Sequence, residues 1–113
     1  MNELEDHILE FLGVYWDVDT YGNDCVFSYE NQVPMKGIYL KKGKIQLLKR
    51  NKVVKELTEP GPYFIEELLY MNPYKLQVKI LADSEVIHID RIQLLKIVES
   101  RFPHLTDSIK ALA

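Results

Sequence analysis

Residues 61–80 read GPYFIEELLYMNPYKLQVKI. A Gly-Pro break leads into the aromatic pair Tyr63 and Phe64, then Glu66 and Glu67, a short apolar run, Pro73 and a basic stretch. From Leu76 to Ile80 apolar and polar residues alternate, with Gln77 and Lys79 between Leu76, Val78 and Ile80. That is the period of a strand with one wet face. Between the break and this strand the pattern predicts one short helical turn, Glu66 to Tyr70. The segments on either side are too short to be helices of their own. A helical turn set into a β body, with charged side chains beside it, is a place where a ligand can be held.

Outward from this stretch the β pattern continues in both directions. Downstream, EVIHID (85–90) reads as a last strand. Upstream, Trp16, Val18 and Thr20 alternate with Asp17 and Asp19, YGND (21–24) is a turn, and CVFSY (25–29) is the next strand. NQVPMKG (31–37) is a loop, and IYLKKGKIQLL (38–48) predicts a hairpin with Gly43 at its bend. KRNK (49–52) turns the chain into VVKEL (53–57), and TEPGP (58–62) breaks it again. Strands roughly ten residues apart with turns between them predict a β-sandwich or barrel.

Helical periodicity marks both ends. Leu4, Ile8, Phe11 and Leu12 form one stripe, with Asn2 as a cap and Gly13 as a stop. After the last strand Asp90 caps a helix whose apolar face is Leu94, Leu95, Val98 and Phe102, and Pro103 ends or kinks it. A final short helix carries Leu105, Ile109 and Leu112 on one side. The 113 residues suit one domain, 1–113, with no low-complexity segment and no repeat.

Composition narrows the function. A net charge of −3 lacks the cationic excess that nonspecific nucleic-acid binding needs. Cys25 is the only cysteine, so neither a disulfide framework nor a thiolate zinc site can be built. The acidic N-terminus is unlike a secretory leader, and no apolar run approaches the roughly 20 residues that span a bilayer. The expectation is a cytoplasmic protein with no membrane or nucleic-acid partner. His7, His88 and His104 lie far apart and form no H-x-H pair, so no metal is expected. There is no G-x-S-x-G, no Walker glycine loop and no Cys/His pair in a plausible context, so no enzyme is expected.

In order and spacing these segments resemble the cyclic-nucleotide-binding domain, the sensor half of the Crp/Fnr regulators and of cyclic-nucleotide-dependent kinases and channels. GPYFIEELL is similar to the family's G-D-x-F-G-E-(L/I)-A. QVKILADSEVIHIDR is similar to its last strands, and LLKIVESRFPHL to the helix and Pro that follow. Gly22, Gly37 and Gly43 stand where the family places turn residues. The resemblance implies a mainly β fold: an eight-stranded, cupin-like jelly roll (double-stranded β-helix) with one N-terminal and two C-terminal helices. It also implies a phosphate-binding cassette, in which a short helix, a Glu on the ribose and an Arg on the phosphate hold the ligand.

On the residues of this chain the cassette falls at Phe64, Ile65, Glu66, Glu67, Tyr74, Lys75, Leu76 and Gln77. Phe64 and Glu66 match it. Ile65 stands where the family has glycine, and its β-branched side chain is expected to obstruct the phosphate seat. No arginine occurs between Arg50 and Arg91. Tyr74 or Lys75 takes the arginine's place, depending on the direction of counting, and Lys75 lacks the guanidinium fork. Lys75 or Leu76 then stands where a small residue usually follows the arginine, Gln77 takes the usual threonine-like position, and Glu67 adds a second carboxylate beside an anion site.

The expected function is therefore that of a stand-alone regulatory or sensor module acting through protein–protein interaction, with weak or no binding of cyclic mononucleotides. With about ten residues after Pro103, no effector or DNA-reading helix is expected. An unidentified protein partner or a different small anion takes the place of the usual ligand, and a cyclic nucleotide is not the favoured cofactor. Two alternatives stand beside this: a working sensor of cyclic AMP or cyclic GMP that uses Lys75 and Glu66, and a purely structural domain that self-associates.

Overall fold

The computed structural model describes residues 16–101 together with 103 and 104. The helix expected around Leu4 to Leu12 and the last one around Leu105 to Leu112 lie outside the described residues, as does Phe102.

Eight strands are described: β1 (Val18–Thr20), β2 (Cys25–Ser28), β3 (Lys36–Lys42), β4 (Ile45–Lys49), β5 (Lys52–Leu57), β6 (Gly61–Tyr63), β7 (Gln77–Ile80) and β8 (Glu85–Asp90). Helix α1 (Ile65–Tyr70) lies between β6 and β7, and α2 (Arg91–Arg101) follows β8. The strands form two antiparallel sheets, ordered β1-β8-β3-β6 and β2-β7-β4-β5. The pairs β4–β5, β3–β6, β2–β7 and β1–β8 nest like one long hairpin. Successive pairs fall in alternate sheets, so that hairpin is rolled up. This is a jelly roll.

The root of the roll is the β4–β5 turn. Lys49 opposes Lys52, so only Arg50 and Asn51 connect the strands. Both have positive φ, 52° and 66°. A two-residue connection with two left-handed residues matches the right-handed twist of the strands it joins.

The hairpin expected at Gly43 is not formed. β3 belongs to one sheet and β4 to the other. Each already has both edges occupied, β3 by β6 and β8, β4 by β5 and β7. Gly43 is instead the corner where the chain crosses between sheets. Its φ is 105°, and a Cβ there would overlap Oγ, Cα and Cβ of Ser84. Ser84, fully buried, accepts a hydrogen bond from Lys44 N–H (3.0 Å) and donates one to Lys44 C=O (3.2 Å), replacing the ladder that the corner forfeits. Gly37 is likewise no turn residue. It lies inside β3, where a Cβ would come within 3.0 Å of Ile65 Cδ1. TEPGP breaks the chain only to Pro60. Gly61–Tyr63 pairs with β3 as an edge strand, a position where Pro62 is tolerated.

Two apolar cores result. Between the sheets lie Ile38, Leu40, Ile45, Tyr74, Val78, Ile80 and Val86. On the outer face of the first sheet, Ile87 and Ile89 of β8 pack with Trp16, with Ile65, Leu68 and Leu69 of α1, and with Leu94, Ile97 and Val98 of α2. β8 therefore contributes alternate residues to both cores, Val86 inward and Ile87 and Ile89 outward. Asp90 caps α2 as the sequence predicts: its Oδ2 accepts from Gln93 N–H at 3.0 Å. Among the described residues no helix is long and apolar enough to cross a membrane.

Candidate functional site

The site is built around α1. Phe64, immediately before the helix, has φ 66° and ψ 24°, left-handed geometry that is rare for so bulky a side chain. Such a conformation costs on the order of 1–3 kcal/mol and has to be held by its surroundings. The kink separates neighbours. Phe64 packs against the core between the sheets, while Ile65, one residue on, is buried against α2 and β8. Met71, also left-handed (φ 55°), closes the helix, and Asn72 N–H donates to Glu67 C=O at 3.0 Å.

Beside α1 opens a cleft of about 600 Å³. Leu47, Phe64, Pro73, Leu76 and Val78 supply its apolar wall, and Glu66, Glu67, Asn72, Tyr74 and Lys75 its polar groups. Six of the eight residues expected from the sequence thus meet at one place: Phe64, Glu66, Glu67, Tyr74, Lys75 and Leu76. Ile65 and Gln77 do not line it. Ile65 is 1% exposed in the helix-side core, so it does not obstruct the cleft as expected. The left-handed turn at Phe64 points its neighbour to the other side of the helix. Gln77 is half-buried opposite Leu48 in the β4–β7 ladder.

Bulk in the site comes from Tyr74, only 4% exposed. Its ring meets Phe64 edge to face (centroids 5.3 Å apart, 80° between planes) and Phe27 in the same manner (6.2 Å, 80°). Its hydroxyl donates to Lys36 C=O at 3.1 Å. The backbone is tied as well: Tyr74 N–H donates to Gln32 C=O (3.0 Å) and Tyr74 C=O accepts from Asn31 N–H (2.7 Å). Burial, with the Glu67 carboxylate adding to it, pushes the Tyr74 phenol well above its ordinary range. Tyr74 is thus a neutral, hydrogen-bonded wedge between the cleft and the loop before β3.

The charge of the cleft follows from its side chains: among the described residues, two carboxylates, Glu66 and Glu67, against one ammonium, Lys75, and no guanidinium. The arginine on the other side of α1, Arg91, donates from Nε to Leu68 C=O (2.9 Å) and from Nη2 to Leu69 C=O (3.1 Å). These carbonyls belong to the last turn of the helix, where they lack intrahelical partners and carry partial negative charge. Sequence reasoning missed this role. The available signal was a cation directly after the last strand, at the start of a helix, where a positive charge is unfavourable unless it reaches another partner.

A second cluster of titratable groups sits at the other end of the inter-sheet core. His88 Nε2 shares a 2.6 Å hydrogen bond with Tyr21 Oη and lies 3.5 Å from Asp19 Oδ2. Its ring stacks on Phe27 (5.6 Å, 17°), and its Nδ1 is buried without a hydrogen-bond partner among the described residues. Burial pulls the imidazole below its ordinary range. Asp19 opposes that shift and Lys36 adds to it. Burial, with Cys25 and Asp19, raises Tyr21 to about 12. Among the described residues no three His, Cys, Asp or Glu side chains gather to hold a metal ion.

No protein-family model matches the sequence, and no curated protein matches it. Solved structures do. A cyclic nucleotide-binding-like protein from Brucella abortus superposes with a TM-score of 0.71 at 16% identity, covering 88% of this chain and 85% of that one. The CBD2 domain of PKAR, bound to Sp-2Cl-cAMPS, gives 0.58 at 21% identity over 86% of this chain and 68% of its own. The catabolite activator protein of Thermus thermophilus gives 0.65 at 17% identity and covers 99% of this chain. This chain spans about half the length of that protein, 53%, and of a Silicibacter pomeroyi DSS-3 protein at TM-score 0.68 and 18% identity, 51%. The strand order, the helices packed outside one sheet and this likeness agree: the chain has the jelly-roll fold of the cyclic-nucleotide-binding domains.

Proposed function

We infer that this chain is a regulatory binding module of the cyclic-nucleotide-binding type whose cleft does not hold cyclic mononucleotides tightly and whose output is contact with another protein. The observation that carries this reading is the charge of the cleft: among the described residues its lining sets Glu66 and Glu67 against the single ammonium of Lys75, with the buried Tyr74 beside them. A cyclic phosphate is a permanent anion. It would meet a net negative lining and lose the planar fork of donors that suits it. With two such bonds absent, each worth about 1.5–3 kcal/mol, affinity falls by several powers of ten.

The surface we assign to the protein partner includes α2. Its inner face packs on α1, and it leaves Ile92 65% exposed on the outside. The test is calorimetry with cyclic AMP and cyclic GMP. The expected outcome is no saturable heat at micromolar nucleotide, and a micromolar dissociation constant for either would sink the reading. One observation favours a working sensor instead: Lys75 and Glu66 line the same cleft, so an ammonium and a carboxylate stand within one site. The same titration decides between the two.

A further inference from the structure

The cleft is more than a damaged anion seat. Its volume, about 600 Å³, is that of a small-molecule site, and its wall is apolar along Leu47, Phe64, Leu76 and Val78. At its rim neither the Glu66 nor the Glu67 side-chain carboxylate makes a hydrogen bond or ion pair with a described residue. Glu67 is half-buried and Glu66 exposed, and both line the cleft. Two adjacent carboxylates repel each other, and Lys75, lining the same cleft, offsets one of the two charges. A bound cation relieves the remaining repulsion, and an anion adds to it. The Phe64 ring contributes in the same direction, because an aromatic face attracts cations.

We propose that this cleft takes a small organic cation, an amine on a flat apolar body, with the ammonium held by Glu66 and Glu67 and the body against Phe64 and Leu76. The inference rests on the reading that the cleft is no seat for a cyclic mononucleotide, and it names what the cleft selects instead.

The probe is tyramine, titrated into the isotope-labelled 113-residue chain and followed by amide resonances. Two comparison ligands are 4-hydroxyphenylacetate, which carries a carboxylate where tyramine has its ammonium, and cyclic AMP. Tyramine should give saturable shifts centred on Phe64, Glu66, Asn72 and Leu76, and 4-hydroxyphenylacetate none. The double variant Glu66→Gln, Glu67→Gln should weaken tyramine by about tenfold or more while keeping the dispersed spectrum of a folded chain. Equal or tighter binding of the carboxylate analogue would overturn the proposal. So would an unchanged affinity in the double variant, or the absence of saturable shifts at millimolar tyramine. If tyramine fails and cyclic AMP fails too, only this inference falls. Micromolar cyclic AMP at the same residues removes the proposed function as well.

Discussion

Arg91 reaches across from the first turn of α2 to the last turn of α1, with its Nε 2.9 Å from the carbonyl oxygen of Leu68. A second bond, from Nη2 to Leu69 C=O at 3.1 Å, uses the other arm of the same fork. The helix that borders the cleft is thereby fastened to the helix that follows the barrel. Their apolar faces already share a core. Arg91→Ala should lower unfolding free energy by about 1.5–3 kcal/mol, because it removes charge-assisted bonds and leaves two carbonyls unpaired. Arg91→Lys should recover less than half, since an ammonium cannot span both oxygens. Urea denaturation checks this, and wild-type stability in the alanine variant would show that the clamp contributes nothing.

Tyr74 separates packing from polarity. Tyr74→Phe keeps the edge-to-face contacts with Phe64 and Phe27 but loses the bond to Lys36 C=O. The expected cost is about 0.5–1.5 kcal/mol. Tyr74→Ala should cost about 3–5 kcal/mol, as large-to-small changes at buried aromatic sites do. Equal losses in the two variants, read from denaturation midpoints, would mean that the ring itself is not what fills the core.

Neutralising the charge of the cleft should strengthen its affinity for an anion. Lys75→Arg with Glu67→Ala leaves one carboxylate against one guanidinium fork, in place of two carboxylates against one ammonium. Cyclic AMP binding should strengthen roughly tenfold or more relative to the parent chain. Fluorescence or calorimetric titration of both proteins side by side measures the ratio, and a ratio of one would exclude electrostatics as the barrier.

The His88 cluster makes stability depend on pH. Its folded pKa lies below the unfolded value near 6.5, so the unfolded chain binds the proton more readily. Stability is then fully present above the unfolded value and declines as pH falls through it toward the folded one. Asp19 limits the decline by favouring the imidazolium, while Lys36 deepens it. Denaturation midpoints measured from pH 8 to about pH 5 should fall, and His88→Leu should flatten that slope even if the variant is less stable throughout. An unaltered slope in His88→Leu would assign the pH dependence to carboxylates.

At the corner between the sheets, Gly43→Ala should be costly for two reasons. Its φ of 105° is one that L side chains rarely adopt, and the new methyl would enter backbone and side-chain atoms of Ser84. A loss of about 2–4 kcal/mol follows from strain and overpacking together. Thermal unfolding is the check, with Gly22→Ala, which meets open space, as the control expected to change little.

The alternation of Leu76, Val78 and Ile80 with Gln77 and Lys79, the Asp90 cap and the one-turn helix near Glu66 were all legible in the chain, because each depends on neighbours within a few residues. So was most of the cleft, where Phe64, Glu66, Glu67, Tyr74, Lys75 and Leu76 arrive together on one short connection. What was misread is non-local. A glycine bend between two apolar runs fits a hairpin and a sheet-to-sheet corner equally well, and Ser84, which bonds Lys44 from forty positions downstream, decides between them.

The amino-acid order alone therefore determined the period and length of the elements and which charges the cleft would carry, since periodicity and composition are properties of a short stretch of chain. Tertiary structure alone decided which strands share a sheet, that Ile65 turns away from the cleft while Phe64 turns toward it, and that Arg91 is committed to the carbonyls of α1. Those outcomes hang on surfaces brought together from distant parts of the chain, where exclusion of water and the pairing of buried polar groups choose among local conformations of similar energy.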